Sequence, residues 1–113
     1  SGKPLYVHVI EKSTQWGTPH NTGFVTGATH PDDIQNIRQI IPNHVLLIPG
    51  VGSQGGNVEK LLNANQNGVA IINVSRDVIY AGSGLDFDKL AGQKAEFYKN
   101  EFNKYYTFRD LSL

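Results

Sequence analysis

The residues of this 113-residue chain best suited to chemistry lie in two short runs. The first is IPGVGSQGG (Ile48–Gly56), with four glycines within seven residues, placed after an apolar run and before a helix-like one. Glycine lets the backbone come close to a ligand, and the start of a helix offers free N–H groups to an anion. The second is Ser75 followed by Arg76, directly after AIINV, which puts a guanidinium at the carboxyl end of an apolar, strand-like run. In β/α barrels that end of the strands carries the active site, and the last two loops often bind phosphate. A guanidinium meets phosphate oxygens in a two-pronged contact. Each run also has a plain structural reading. The glycines suit a tight strand-to-helix connection, and they match neither G-x-G-x-x-G nor the phosphate-loop pattern ending in Gly-Lys. Arg76 suits an ion pair with Asp77 or another acidic neighbour at the rim of a sheet.

Elements must hold these runs in place. GFVTGA (Gly23–Ala28) is short and β-prone, and THPDDIQNIRQII follows it with the features of a helix start. Thr29 or His30 can cap, Pro31 suits the first helical position, and Asp32 and Asp33 favour the positive helix end. Ile34, Ile37 and Ile41 form one apolar face. HVLLIP (His44–Pro49) is a continuous apolar run of the kind buried on both faces of a sheet. A short helix over Asn57–Ala64 turns Val58, Leu61 and Leu62 inward. GVAIINVS (Gly68–Ser75) makes a third buried strand, and a long helix starts near Asp86, with Phe87, Leu90, Ala91, Tyr98, Phe102, Tyr105 and Tyr106 at helical spacing. Strand and helix in alternation mean parallel strands. Leu5–Trp16 is ambiguous, because Leu5, Val7 and Val9 alternate like a strand while Leu5, Val9 and Trp16 suit a helix face.

Ten Lys plus Arg balance ten Asp plus Glu, a distribution that disfavours nucleic acid and anionic membranes as partners. The absence of cysteine excludes disulfides and thiolate metal sites, and the four histidines (His8, His20, His30, His44) lack the spacing of a metal site. No apolar run approaches the roughly 20 residues that span a bilayer. Ser1 and Gly2 resemble the scar of a removed tag, and a soluble, cytoplasmic protein is expected. The chain is expected to be one partial domain, residues 1–113. Three parallel strands cannot close a barrel, which takes eight strands and about 250 residues, and an open sheet exposes edges and apolar faces. Homo-oligomerisation that covers the open sheet is therefore expected.

Three blocks together resemble a known family. VTGATHP (Val25–Pro31), LIPGVGSQGG (Leu47–Gly56) and INVSRDVIYA (Ile72–Ala81) are similar to the patterns VVGAT-x-P, LIPGxGAQGG and INxSRxIxYA of the bacterial subgroup of orotidine 5′-phosphate decarboxylases. The resemblance runs from about residue 5 to the last helix. Ser53 stands where the subgroup often has alanine, Asn57 where it often has aspartate, and Thr26 where valine is usual; none of these removes a presumed ligand contact. The resemblance implies the C-terminal portion of a TIM barrel, α/β, with strands six to eight present and Leu5–Trp16 as the helix before the sixth. It also implies that the intact protein converts orotidine 5′-monophosphate (OMP) to uridine 5′-monophosphate (UMP) and carbon dioxide in pyrimidine synthesis, without a cofactor.

Residue by residue, the family's glutamine that touches phosphate and pyrimidine matches Gln54, whose amide donates and accepts at once. The family's phosphate-gripping arginine matches Arg76, with the backbone N–H of Ser75 beside it. Pro49, Gly50, Val51 and Gly52 match the segment of the loop that folds over the substrate. The family's D-x-K-x-x-D catalytic motif has no counterpart here. Lys3, Lys12, Lys60, Lys89, Lys94, Lys99 and Lys104 lie at termini or on helix faces, where a solvated charge is expected. The chain alone is thus expected to bind nucleotide monophosphate weakly and to decarboxylate nothing. The rival reading is a non-catalytic phosphate-binding half-barrel or a self-associating folding fragment.

Overall fold

The computed structural model describes residues 2–52 and 57–105. Among them the elements run α1 (Leu5–Ser13), β1 (Gly23–Val25), α2 (Pro31–Ile40), β2 (Val45–Ile48), α3 (Val58–Ala64), β3 (Ala70–Ile72), α4 (Arg76–Ile79) and α5 (Phe87–Lys104). The strands form one sheet in the order β1-β2-β3, with both pairs parallel. The expected strand, helix alternation is therefore present, and Leu5–Ser13 takes the helical alternative.

The strands are shorter than their apolar runs suggest. Gly23–Ala28 pairs only to Val25, and Gly68–Ser75 only from Ala70 to Ile72. Single ladder bonds continue past them, from Thr26 N–H to the Leu47 carbonyl and from Asn73 N–H to the Ile48 carbonyl, both 3.0 Å, before the chain leaves for the loops.

One face of the sheet carries the core. Leu46 and Ile48 point into it and meet Ile34, Ile37 and Ile41 around α2 and Leu61 and Ala64 of α3, most of them wholly buried. Each of these Leu and Ile side chains contributes about 1.5–3 kcal/mol relative to exposure. The other face is open, against the expectation of strands buried on both sides. Val25, Leu47 and Ile71 are register partners in a single row, and they are 70%, 39% and 59% exposed. Side chains alternate across a sheet, so this row belongs to the face that helices do not cover. The molecule is accordingly a slab, 54 × 34 × 22 Å, with a radius of gyration of 15.9 Å against about 13 Å for a compact domain of a hundred residues.

Three further expectations need correction. Helix α1 buries Ile10, while Leu5, Val9 and, beyond its end, Trp16 are exposed, because Leu5 and Val9 line an open apolar groove of about 710 Å³ between α1 and β1. On α5 only Tyr98 is fully buried and Phe102 packs against the core, whereas Phe87, in the first turn, is exposed. Tyr106 lies outside the described residues. His30 precedes α2 without a side-chain capping bond, and its carbonyl accepts the Asp33 and Ile34 N–H groups instead.

At the amino ends of the strands an unforeseen buried cation ties the layers together. Arg38 is 1% exposed and donates from Nε to Asn65 Oδ1 (2.8 Å), from one terminal nitrogen to the Ile41 and His44 carbonyls (3.1 and 2.6 Å), and from the other to the Val69 carbonyl (2.8 Å). A Cβ on Gly68 would collide with the guanidinium, so glycine is required there. Asn65 Nδ2 in turn donates to the Gly68 carbonyl at 2.7 Å. Arg38 thereby joins α2 to the segments entering β2 and β3.

Candidate functional site

Parallel pairing brings three loops to the carboxyl end of the sheet. After β1 the chain passes Thr26, and the Ala28 N–H donates to the Pro49 carbonyl at 3.1 Å, which fixes this loop against the one after β2. Pro49, Gly50, Val51 and Gly52 begin that second loop. Val51 is 2% exposed and belongs to the core, while Gly50 (φ 92°) and Gly52 (φ 88°) take left-handed conformations that favour glycine. This segment is the packed root of the glycine loop. Gln54 lies outside the described residues. Asn57 caps α3, its Oδ1 accepting the Lys60 N–H at 3.0 Å.

The third loop follows β3. Asn73 Nδ2 donates to Ser75 Oγ at 3.0 Å, and the Ser75 carbonyl accepts the N–H groups of Val78 and Ile79 as α4 begins. Ser75 and Arg76 are both exposed. Among the described residues the Arg76 side chain has no hydrogen bond or ion pair, so the structural reading that paired it with Asp77 does not hold. Asp77 Oδ2 instead accepts the Tyr98 hydroxyl and lies 3.5 Å from Lys94 Nζ. Lys94 stands 5.2 Å from the Phe97 ring centre and 5.7 Å from that of Tyr98, so it is not the plain solvated charge expected of it. Burial first, then the hydrogen bond and charge of Asp77, push the Tyr98 hydroxyl up to about 12, and it remains a proton donor throughout the neutral range.

The second and third loops meet at Gly52. A Cβ there would stand 2.6 Å from the Tyr98 hydroxyl and 3.0 Å from Asp77 Cβ. The root of the glycine loop therefore abuts the first turn of α4, beside Arg76. Sequence reasoning missed Asn73, Asp77 and Tyr98 as parts of this site. The signal for Tyr98 was present, because a buried tyrosine hydroxyl usually finds a partner.

Among the described residues no group of three or more His, Asp or Glu side chains gathers as a metal site would require, and no helix is long and apolar enough to cross a membrane.

Three parallel strands with helices on one face, and loops gathered at the carboxyl ends, have the architecture of a segment of a β/α barrel. Comparison with known proteins gives its kin. The chain is 38% identical over 115 residues to the orotidine 5′-phosphate decarboxylase of Haloarcula marismortui, covering 93% of this chain and 42% of that protein. It is 45% identical over 97 residues to the enzyme of that name from Herpetosiphon aurantiacus, covering 85% of this chain and 36% of the relative. Among solved structures, Leishmania donovani OMP decarboxylase superposes with a TM-score of 0.69 at 26% identity, over 91% of this chain and 40% of that one. No family-wide sequence profile matches the chain. The chain is thus related, over most of its length, to a part of the orotidine 5′-phosphate decarboxylases, and it spans about two fifths of the length of the curated relatives it matches.

Proposed function

We propose that this chain is the C-terminal, phosphate-binding part of an orotidine 5′-monophosphate decarboxylase, a cofactor-independent carboxy-lyase that releases carbon dioxide from OMP and leaves UMP. The observation that carries the reading is Arg76, exposed at the carboxyl end of β3 and unengaged among the described residues, with its neighbour Asp77 held by Tyr98 and Lys94. In this reading Arg76 and the Ser75 N–H grip the 5′-phosphate, Gln54 contacts phosphate and pyrimidine, and Pro49–Gly52 root the loop over the nucleotide. Phosphate binding far from the reacting carbon supplies energy that the transition state can use, provided the nucleotide is held rigidly. The Lys and Asp residues that act on the carboxylate lie in the protein beyond this chain, and the chain alone is inactive. We place the enzyme in the cytoplasm, serving pyrimidine nucleotide synthesis.

The test is a UMP titration of the chain by heteronuclear NMR, with an OMP decarboxylation assay beside it. Shifts at Gln54, Ser75 and Arg76 that vanish in Arg76→Ala, without turnover, support the reading. Turnover by the chain alone refutes the missing catalytic array, and wild-type spectra unchanged by UMP refute the phosphate site.

A second reading has its own observation. The exposed row Val25, Leu47 and Ile71, with the groove between α1 and β1, leaves much apolar surface open, and single soluble domains rarely carry large contiguous patches of this kind. In isolation the chain would self-associate through that face, as a homo-oligomer. Sedimentation of the purified chain decides this; a monomer at all concentrations rules it out.

A further inference from the structure

Asp77 poses a problem for a phosphate site at Arg76. A carboxylate one residue away is a competitor for the guanidinium and a repulsive neighbour for a phosphate dianion. The structure engages that carboxylate elsewhere. Tyr98, 7% exposed on α5, donates its hydroxyl to Asp77 Oδ2, and Lys94 one turn earlier stands 3.5 Å from the same oxygen. The same hydroxyl faces Gly52, where only the missing Cβ allows the loop root to lie so close.

We propose that Tyr98 is a positioning residue for the phosphate site: with Lys94 it holds the Asp77 carboxylate away from Arg76 and fixes Gly52 against the first turn of α4. This rests on the reading of Arg76 as the phosphate ligand. Tyr98 touches no substrate; it acts through Asp77. Its hydroxyl suits the task because it stays protonated and donates, while Lys94, held over two rings, balances the charge.

The experiment uses the full-length protein that contains this chain, assayed for OMP turnover with UMP and uridine as competitive inhibitors. Wild-type protein without turnover defeats the functional reading itself. Given turnover, Tyr98→Phe is expected to lower kcat/KM for OMP and weaken UMP inhibition about tenfold, with uridine inhibition unchanged, since uridine lacks the phosphate. The double variant Tyr98→Phe, Asp77→Asn is expected to regain most of the UMP affinity, because the released competitor is gone. Equal losses for UMP and uridine, or a double variant no better than the single one, overturn the proposal. Should Tyr98→Phe fail to fold, Lys94→Met loosens the same restraint from a side chain 37% exposed, and about a two- to threefold loss confined to UMP is expected. Unchanged UMP inhibition in a folded Tyr98→Phe or Lys94→Met protein likewise overturns it.

Discussion

Replacing Arg38 by methionine tests how the slab is held together. The stem of the side chain keeps its packing, while hydrogen bonds to Asn65 Oδ1 and to the carbonyls of Ile41, His44 and Val69 are lost. Four bonds at about 1 kcal/mol net each sum to about 4 kcal/mol. Removing the guanidinium also removes its desolvation cost, but the stranded oxygens remain buried, and deleting one partner of a buried charged set costs about 3–5 kcal/mol. A domain of this size has about 5–15 kcal/mol in total, so the loss takes a large share. With a urea slope of about 1.5 kcal/mol/M, the midpoint followed by far-UV circular dichroism is expected to fall by about 2–3 M. The contacts lie at the amino ends of β2 and β3, opposite Arg76, so UMP affinity of the folded fraction is expected to stay unchanged. A midpoint within about 0.5 M of wild type would refute the assignment of Arg38 as the clamp.

Other outcomes follow from the same geometry. His44 is buried, neither ring nitrogen has a hydrogen-bond partner among the described residues, and burial and then Arg38 lower its pKa below the ordinary 6.5. The unfolded chain therefore takes up the proton first: the stabilising effect is complete above about pH 6.5 and is lost as pH falls through the lower folded value. Urea midpoints at pH 7.5 and 5.5 should differ in wild type and differ less in His44→Phe; an equal difference in both would remove His44 as the cause. Gly52→Ala places a Cβ 2.6 Å from the Tyr98 hydroxyl at a left-handed φ of 88°, and is expected to destabilise by about 1–3 kcal/mol and weaken UMP binding, both measurable by calorimetry. Leu47→Ser lies in the open row, 39% exposed, so it should cost about 1 kcal/mol in the isolated chain as a monomer and about 2 kcal/mol or more in the full-length protein, where a closed barrel covers that face. Asn57→Ala removes the cap accepting Lys60 N–H, with an expected cost of about 1 kcal/mol read from faster amide exchange in α3.

Much of this was legible in the order of residues. Apolar runs such as Val45–Ile48 alternate with helical spacings such as Ile34, Ile37 and Ile41, and local steric preference with one-dimensional periodicity is enough to give parallel strands and intervening helices. The motifs around Gly50 and Arg76 likewise carried the family resemblance, because those positions depend on residue type at short range. Arg38 was within reach as well: it stands four residues after Ile34 and three before Ile41, on the buried stripe, although its charge argued for solvent. Which oxygens would satisfy it depended on where the chain brings His44 and Val69, residues 6 and 31 positions away. The exposure of Val25, Leu47 and Ile71 was decided by the number of strands available to face them, a quantity their own sequence does not contain. The partner of Asp77 was decided in the same way. Adjacency in sequence offered Arg76, whereas the packing of α5 on α4 supplied Tyr98, 21 residues on, and left the guanidinium free among the described residues.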